Sequence, residues 1–134
     1  MNSYLIETEE IKESVIINYF SSINQEDFTQ TASLFAEDGT LLAPFEKPII
    51  GKGAIASYLS KEAKGMKLFP AQEIHEDTED GAKKIKVIGK VKTTLFTVNT
   101  AWFFSLNKHQ QIVRVKIKLL ASPQELLGLR EFQN

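Results

Sequence analysis

The first part of the chain spaces its apolar residues as an α-helix does. From about residue 8 to residue 24 they recur every four positions, with two more beside the stripe: Ile11, Val15, Tyr19, Ile23, Ile16 and Phe20. This period gathers them on one broad face, because an α-helix completes a turn in about 3.6 residues. The pattern therefore predicts an amphipathic helix over residues 8–24.

A second helix is predicted to begin after Asp27, whose side chain is of a type that caps helices. We expect Asp38-Gly39 to end it, and its buried side holds three apolar residues, Phe28, Ala32 and Phe35. Residues 40–43 then predict a short strand, which leads into a turn between two prolines. A third helix is expected from about Lys52 to Lys64, because Gly65 is typical of a helix C-terminus.

From residue 66 onward the apolar period changes from about four to two, which is typical of half-buried antiparallel strands. One strand is predicted over residues 66–74. Three more place alternate residues on one face: Ile85, Val87, Val91, Thr93 and Leu95; then Trp102, Phe104 and Leu106; then Val113, Val115, Ile117 and Leu119. A capping box with proline at the first helical position, Ser122 to Glu125, predicts a short final helix ending near Arg130.

Helices followed by strands predict an α+β fold, with helices over one face of a curved antiparallel sheet. Such an arrangement can enclose a cone-shaped cavity between the two layers. The 134 residues, of which 43% are hydrophobic and 25% charged, suit one compact domain over residues 1–134. The sequence has no cysteine, so disulfide and thiolate chemistry are excluded. Neither a signal peptide nor a long apolar run is visible, and we expect a soluble cytoplasmic protein.

The candidate residues for metal binding and acid–base catalysis are few. His75 falls in an acidic turn and His109 in a hairpin turn, and neither has the spacing of a metal site. No phosphate-binding loop or nucleophile elbow is present. The inward strand positions hold no Asp, Glu or His, which argues against an enzyme, although a helix residue can still supply such a group.

Two inward-facing residues carry a polar tip on an apolar body. Tyr19 lies on the stripe of the first helix and Trp102 on a central strand, and each has one hydrogen-bond donor. Together they can hold one ligand oxygen, such as a ketone. The alternative is that both are core aromatics bonded to backbone carbonyls, and the pattern by itself favours this alternative.

The outward strand positions are basic: Lys84, Lys86, Lys90, Lys92, Arg114, Lys116 and Lys118. A nucleic-acid surface is not expected, because no stacking aromatics interleave with them and the net charge of the chain is −1. Phe103 points to this outer side, opposite Trp102, and predicts a dimer interface. The alternative is that the C-terminal helix covers it.

Four stretches of the chain are distinctive: residues 33–39 (SLFAEDG), 44–51 (PFEKPIIG), 85–91 (IKVIGKV) and 119–127 (LLASPQELL). They resemble the C-terminal domain of the cyanobacterial orange carotenoid protein and its free-standing homologues. Their order and spacing match, and the resemblance extends from about residue 11 to residue 130. It implies the cone-shaped fold shared by nuclear transport factor 2 and ketosteroid isomerase.

The resemblance also implies a ligand and a site. In that family a buried Tyr and Trp hydrogen-bond the keto oxygen of a ketocarotenoid, of the canthaxanthin or echinenone type. Tyr19 and Trp102 fall on those positions, which reverses the preference given above. The implied tunnel lining is apolar except for one threonine: Ile23, Met66, Leu68, Val91, Thr93, Ile117 and Leu119.

The implied function is that of a photoprotective carotenoid carrier and not of an enzyme. The resemblance to the free-standing homologues implies a homodimer that shares one pigment. It also implies transfer of the pigment to helical N-terminal-domain homologues and transient contact with membranes. The helical N-terminal domain of the full photoprotective protein is missing from this sequence, so light-switched quenching is not expected. Two alternatives stay open: a cone-fold isomerase or dehydratase for a small hydrophobic substrate, and an interaction module that uses Phe103 and the lysine face.

Overall fold

The structure is a computed structural model, which describes residues 11–76, 78 and 81–120. Within these residues lie three helices, α1 (Ser14–Asn24), α2 (Phe28–Ser33) and α3 (Lys52–Glu62). The strands are β1 (Phe35–Leu42), β2 (Ile49–Ile50), β3 (Lys67–Glu76), β4 (Lys83–Lys92), β5 (Thr97–Leu106) and β6 (Ile112–Leu120). The predicted final helix, residues 122–130, lies outside the described residues.

The strands form one sheet in the order β2-β1-β6-β5-β4-β3. Its pairs are antiparallel except β1 with β6, which is parallel. The sequence predicted an antiparallel sheet throughout, and this is wrong for that one pair. The last described strand, β6, lies between β5 and β1, so it pairs with the first described strand. Hydrophobic alternation reports which face of a strand is buried and carries no information on the direction of its neighbour.

The α1 helix begins at Ser14 and not near residue 8. Residues 11–13 are not helical, and the backbone of Glu13 is extended, with φ −72° and ψ 119°. A carboxylate from β3 bonds this segment, because Glu73 Oε1 accepts from the backbone N–H of Lys12 at 2.8 Å and of Glu13 at 3.4 Å. The tie to β3 thus favours an extended approach over one more helical turn.

The α2 helix begins as predicted, with Asp27 accepting a hydrogen bond from the backbone N–H of Gln30 at 3.2 Å. It ends at Ser33, however, and β1 passes straight through the predicted stop at Asp38-Gly39. Gly39 is needed there for close packing, since an added Cβ would lie 2.9 Å from the Ile112 carbonyl oxygen. The glycine therefore marks the contact of two strands and not the end of a helix.

Irregularities change which strand residues point inward. The register of β5 with β6 shifts between Ser105 and Leu106, so Ile112 is fully buried and Val113 is 39% exposed, contrary to the prediction for Val113. Leu95 was predicted on a buried strand face, yet β4 ends at Lys92 and Leu95 lies in a turn. The remaining predicted bounds of α3 and β3 differ from the structure by one or two residues.

Candidate functional site

A cavity of about 330 Å³ opens at one end of the sheet, between α1, the end of α3 and the inner face of the strands. The end of β4, the start of β3 and β5, the end of β6 and the turn after β1 form its walls. All nine residues predicted to contact a ligand line it: Tyr19, Ile23, Met66, Leu68, Val91, Thr93, Trp102, Ile117 and Leu119. The topology thus brings together residues that are scattered over more than a hundred sequence positions.

The two predicted donors are buried and held by one ring. Tyr19 and Trp102 are each 1% exposed. Phe20 packs edge-to-face against both, with ring centroids 5.2 Å from Tyr19 and 4.8 Å from Trp102. Phe104 packs on Tyr19 in the same manner at 5.1 Å. Such contacts favour particular ring orientations, so the polar tips are fixed relative to the cavity.

A ligand can accept hydrogen bonds from the Tyr19 hydroxyl and the Trp102 indole N–H only if other groups do not already occupy these donors. The side-chain hydrogen bonds found among the described residues involve neither the Tyr19 hydroxyl nor the Trp102 indole N–H. Among the described residues, every fully buried side-chain nitrogen or oxygen atom has a hydrogen-bond partner. Both side chains line the cavity, where a ligand acceptor would meet two donors that bond no described residue. The alternative of backbone carbonyl partners is not seen among the described residues.

The charge state of Tyr19 follows from its environment. Burial raises the pKa of its phenol far above the ordinary value, and the nearby Tyr58 adds to the effect. The phenol is consequently a neutral donor at physiological pH and does not act as a base. A neutral hydroxyl and a neutral indole N–H suit an uncharged oxygen such as a carbonyl.

One predicted lining residue has its hydroxyl committed elsewhere. Thr93 Oγ1 accepts from the backbone N–H of Leu95 at 3.2 Å and of Phe96 at 3.1 Å, and it lies 3.0 Å from the Phe96 carbonyl oxygen. These contacts hold the turn between β4 and β5. The hydroxyl of Thr93 is therefore engaged within the turn.

Three cavity residues with ionisable groups were missed by the sequence analysis. Glu46 comes from the turn after β1, and Tyr58 and Glu62 come from α3. The pKa of Tyr58 is raised, first by burial and then by the negative charges of Glu46 and Glu62. Both carboxylates are exposed. The spacing of Tyr58 and Glu62, four residues apart on one helix, was the available signal that they share a face.

Phe103 lies on the opposite face of the sheet from the cavity. It is half-buried and stands between Lys86 and Lys116 in the strand register. The Nζ atom of Lys86 sits 5.5 Å from the centre of its ring, which is cation–π geometry. Arg114 and Lys118 also line the shallow depression of about 410 Å³ around it. The outer face around Phe103 is thus basic, as predicted.

His75 is not a turn residue as predicted, because β3 extends to Glu76 and includes it. Its Nε2 atom contacts a carboxylate oxygen of Glu73. Donor atoms of Glu13, Glu73 and His75 all lie within 4.8 Å of one another. Lys83 Nζ bonds Glu13 at 2.9 Å, so a cation already neutralises part of this cluster. Sequence spacing missed it because Glu13 lies 60 positions from Glu73.

Helices over one face of a curved sheet, with an apolar cavity between the two layers, define the nuclear transport factor 2-like fold. A nuclear transport factor 2-like protein from Cytophaga hutchinsonii, at 14% identity, shares this fold with a TM-score of 0.63 over 84% of the chain and 91% of its own length. No protein-family model matches the sequence. Among the described residues no helix has the length and hydropathy to cross a membrane.

The chain is similar to part of the orange carotenoid-binding proteins. It is 43% identical over 128 residues to the orange carotenoid-binding protein of Limnospira maxima and 40% identical over 127 residues to that of Synechocystis sp., with 92% of this chain matched in each. It spans only 40% of the length of these relatives. The canthaxanthin-binding orange carotenoid protein of Anabaena (Nostoc) sp. is similar in structure, with 41% identity, a TM-score of 0.80, and coverage of 89% of this chain and 39% of that one.

Proposed function

We propose that this protein binds a ketocarotenoid in the cavity, with the keto oxygen accepting hydrogen bonds from Tyr19 and Trp102. The single observation that carries the proposal is that both donors are buried, face one apolar cavity and bond no other described residue. The rest of the lining supplies apolar contact for an end ring and the start of the polyene. The Anabaena relative, whose structure holds canthaxanthin, supports this class of ligand.

The cavity is too small for the whole pigment. Its volume of about 330 Å³ is at the lower end of the range for sites that enclose a drug-sized ligand, and a carotenoid is longer than such a ligand. The remaining polyene would meet water in a single copy. We propose that two copies form a homodimer, mouth to mouth, and share one carotenoid, because burial stabilises apolar surface by about 25 cal/mol per Å².

Phe103, on the outer face of the sheet, is a candidate for a separate contact between two copies of the chain. Its face looks away from the cavity, so a contact there cannot itself join two mouths around one pigment. A dimer that shares its ligand needs the mouth, whereas Phe103 can serve a further contact or another partner. The two surfaces can therefore be tested independently by substitution.

The biological role that follows is carriage of the pigment in the cytoplasm, from membrane to a helical protein resembling the N-terminal domain of the full-length relatives. Bound ketocarotenoid would also quench singlet oxygen, which is a photoprotective effect of the pigment itself. No covalent step is proposed, and the chain acts as a binding protein. Light-switched quenching by this chain alone is not proposed.

The test is expression in cells that make canthaxanthin and, in parallel, in cells that make only β-carotene. The expected result is a visible absorption band that co-elutes with a dimer in the canthaxanthin cells, and much weaker colour with β-carotene, which lacks the keto oxygen. Equal uptake of both carotenoids would contradict the hydrogen-bond model. A colourless protein in both strains would reject carotenoid binding.

The alternative of a cone-fold isomerase or dehydratase has one observation in its favour. Glu46 and Glu62 line the cavity with Tyr58 between them in sequence, and an acid–base mechanism needs such groups. Their exposure weakens the case, since catalytic carboxylates on this fold are tuned by burial. A colourless protein that turns over small enones or hydroxy ketones, and loses this activity in Glu62→Gln, would favour this alternative.

A further inference from the structure

The α1 helix, which carries Tyr19, begins without a capping side chain of its own. Glu13 stands at the N-cap position, and its side chain makes no capping hydrogen bond. The first turn of the helix also holds no acidic residue. The N–H groups at the start of a helix need acceptors, and a negative charge near them is stabilising. The start of α1 therefore depends on a group from elsewhere in the fold.

The carboxylate of Glu73, on the edge strand β3, lies at this start. Its side chain is 1% exposed, and its Oε1 atom accepts from the backbone N–H of Lys12 at 2.8 Å and of Glu13 at 3.4 Å. Its other oxygen, Oε2, contacts His75 Nε2. Hydrogen bonds to an ionised group are stronger than neutral ones. The carboxylate thus ties the entry to α1 firmly to β3.

Glu73 also stands in the same cross-strand row as Trp102. In the register of the sheet Glu73 is opposite Val87, and Val87 is opposite Trp102. Because neighbouring strands lie about 4.8 Å apart, the Cα atoms of Glu73 and Trp102 are separated by about 10 Å along this row. The side chain that holds the start of α1 is therefore fixed to the part of the sheet that carries the indole donor.

The tie at the start of α1 acts on the position of the phenol. Tyr19 lies about 9 Å further along the helix axis, since each helical residue adds 1.5 Å. The other end of α1 is tied to the same strand, because Asn24 bonds both backbone groups of Leu68. A short helix held at both ends moves as one body, so the tie at Glu73 sets where Tyr19 lies relative to Trp102.

We propose that Glu73 is a positioning residue for the ligand. Through the entry to α1, it sets the separation of the Tyr19 hydroxyl and the Trp102 indole N–H that allows both to bond one keto oxygen. This inference rests on the proposed function. A hydrogen bond is lost outside a narrow range of distance and angle, so a shift of α1 against the sheet removes the bond from Tyr19. Glu73 acts at a distance, since it is not among the described residues that line the cavity.

The experiment compares Glu73→Leu with the wild type, both purified from cells that make canthaxanthin. Glu73→Leu should show the blue-shifted band expected of Tyr19→Phe and bind about fivefold to tenfold less pigment, as loss of one buried hydrogen bond implies. The double variant, Glu73→Leu with Tyr19→Phe, should bind no less pigment than Tyr19→Phe alone, because the bond that Glu73 supports is already absent. Additive losses in the double variant would overturn the proposal.

Two conservative variants separate positioning from general stability. Glu73→Gln keeps an acceptor oxygen for the two backbone N–H groups and should retain the wild-type band. Glu13→Gln removes the ion pair with Lys83 but leaves the backbone bonds to Glu73 in place, and it should also retain the band. Urea unfolding of each variant gives its stability. A Glu73→Leu protein that is less stable yet has the wild-type band and pigment content would show a purely structural role and contradict the proposal.

A second pair of variants tests the same tie if Glu73→Leu does not fold. Lys12→Pro removes the backbone N–H that Glu73 bonds at 2.8 Å and leaves the buried carboxylate intact. Lys12→Ala, the matched control, keeps this N–H. The proline variant should shift the canthaxanthin band to the blue and the alanine variant should not. Identical bands in the two variants would contradict the proposal.

Failure of this proposal is distinguishable from failure of carotenoid binding. A wild-type protein that stays colourless in the canthaxanthin cells would reject the proposed function and the positioning role with it. A pigmented wild type whose band and pigment content survive in both Glu73→Leu and Lys12→Pro would keep the proposed function and lose only the role of Glu73.

Discussion

The side-chain amide of Asn24 pairs with both backbone groups of Leu68. Its Nδ2 donates to the Leu68 carbonyl at 2.9 Å, and the Leu68 N–H donates to its Oδ1 at 2.7 Å. Because β3 is an edge strand, this amide takes the place that a further strand would occupy. The end of α1, which carries Tyr19 and Ile23, is thereby tied to the strand that forms the facing wall of the cavity.

Replacement of Asn24 by Ala should lower the free energy of unfolding by about 2 kcal/mol, since two half-buried backbone groups lose their partners. Asn18→Ala, at an exposed position of the same helix, is the matched control and should change it by less than about 0.5 kcal/mol. Urea unfolding followed by circular dichroism measures both. Equal losses in the two variants would show that the Asn24 pairing contributes nothing specific.

Gly89 is predicted to be irreplaceable for steric reasons. A Cβ at this position would lie 2.2 Å from the Phe69 carbonyl oxygen and 2.8 Å from the Pro70 Cα, where the register of β3 with β4 shifts. Gly89→Ala should therefore destabilise the protein by about 3 kcal/mol. Gly53→Ala, on α3 with no atom within 4 Å of the added group, should be neutral or stabilising by about 0.5 kcal/mol. The melting temperature should fall in Gly89→Ala and stay level or rise in Gly53→Ala, and an equal fall in both variants would contradict the steric argument.

The raised pKa of Tyr19 predicts a pH dependence in the alkaline range. Below about pH 10 the phenol is protonated in both folded and unfolded chains, so its contribution to stability is fully present. Above that pH the unfolded chain ionises while burial keeps the folded phenol neutral. Stability should then fall by about 1.4 kcal/mol per pH unit for this group.

Unfolding free energies at pH 9, 10 and 11 test this, with Tyr19→Phe and Tyr58→Phe compared against the wild type. The decrease in unfolding free energy with rising pH should be reduced most in Tyr19→Phe, because Tyr58 is less buried than Tyr19. An unchanged slope in Tyr19→Phe would mean that its phenol ionises as easily in the folded protein as in the unfolded chain.

Phe103→Asp addresses the outer face of the sheet. If this ring mediates contact between copies, the substitution should shift the mass in solution from dimer toward monomer, because it places a charge in an apolar contact. Light scattering coupled to gel filtration gives the mass, with Ile50→Asp as a control at an exposed apolar position on β2. An unchanged dimer would remove Phe103 from the interface.

Much of the architecture follows from hydrophobic period alone. The apolar stripe of α1 and the alternation in β4 and β5 identified the elements and most of their buried residues. The predictions fail where a residue distant in the sequence determines the local structure. The carboxylate of Glu73 shortens α1, the approach of β6 requires Gly39, and a register shift turns Val113 outward, none of which local spacing records.

The candidate site was predicted only in part from the residues themselves. Pattern singled out Tyr19 and Trp102 as donors but favoured the alternative that both serve the core, and resemblance to a known family supplied the ligand and the rest of the lining. Phe45 and Glu62 were missed, because a turn and a helix end reach the cavity through the tertiary fold. The Asn24 clamp was missed for the same reason, since its partner lies 44 positions away.

The most direct test of the central claim is the absorption spectrum of wild type, Tyr19→Phe and Trp102→Phe, each purified from cells that make canthaxanthin, with Tyr58→Phe as the control. The account predicts a red-shifted carotenoid band in the wild type and in Tyr58→Phe. Each of the two donor variants should blue-shift the band and bind about fivefold to tenfold less pigment, as loss of one buried hydrogen bond implies. Identical bands and identical pigment content in all four proteins would contradict the assignment of Tyr19 and Trp102 to the ligand.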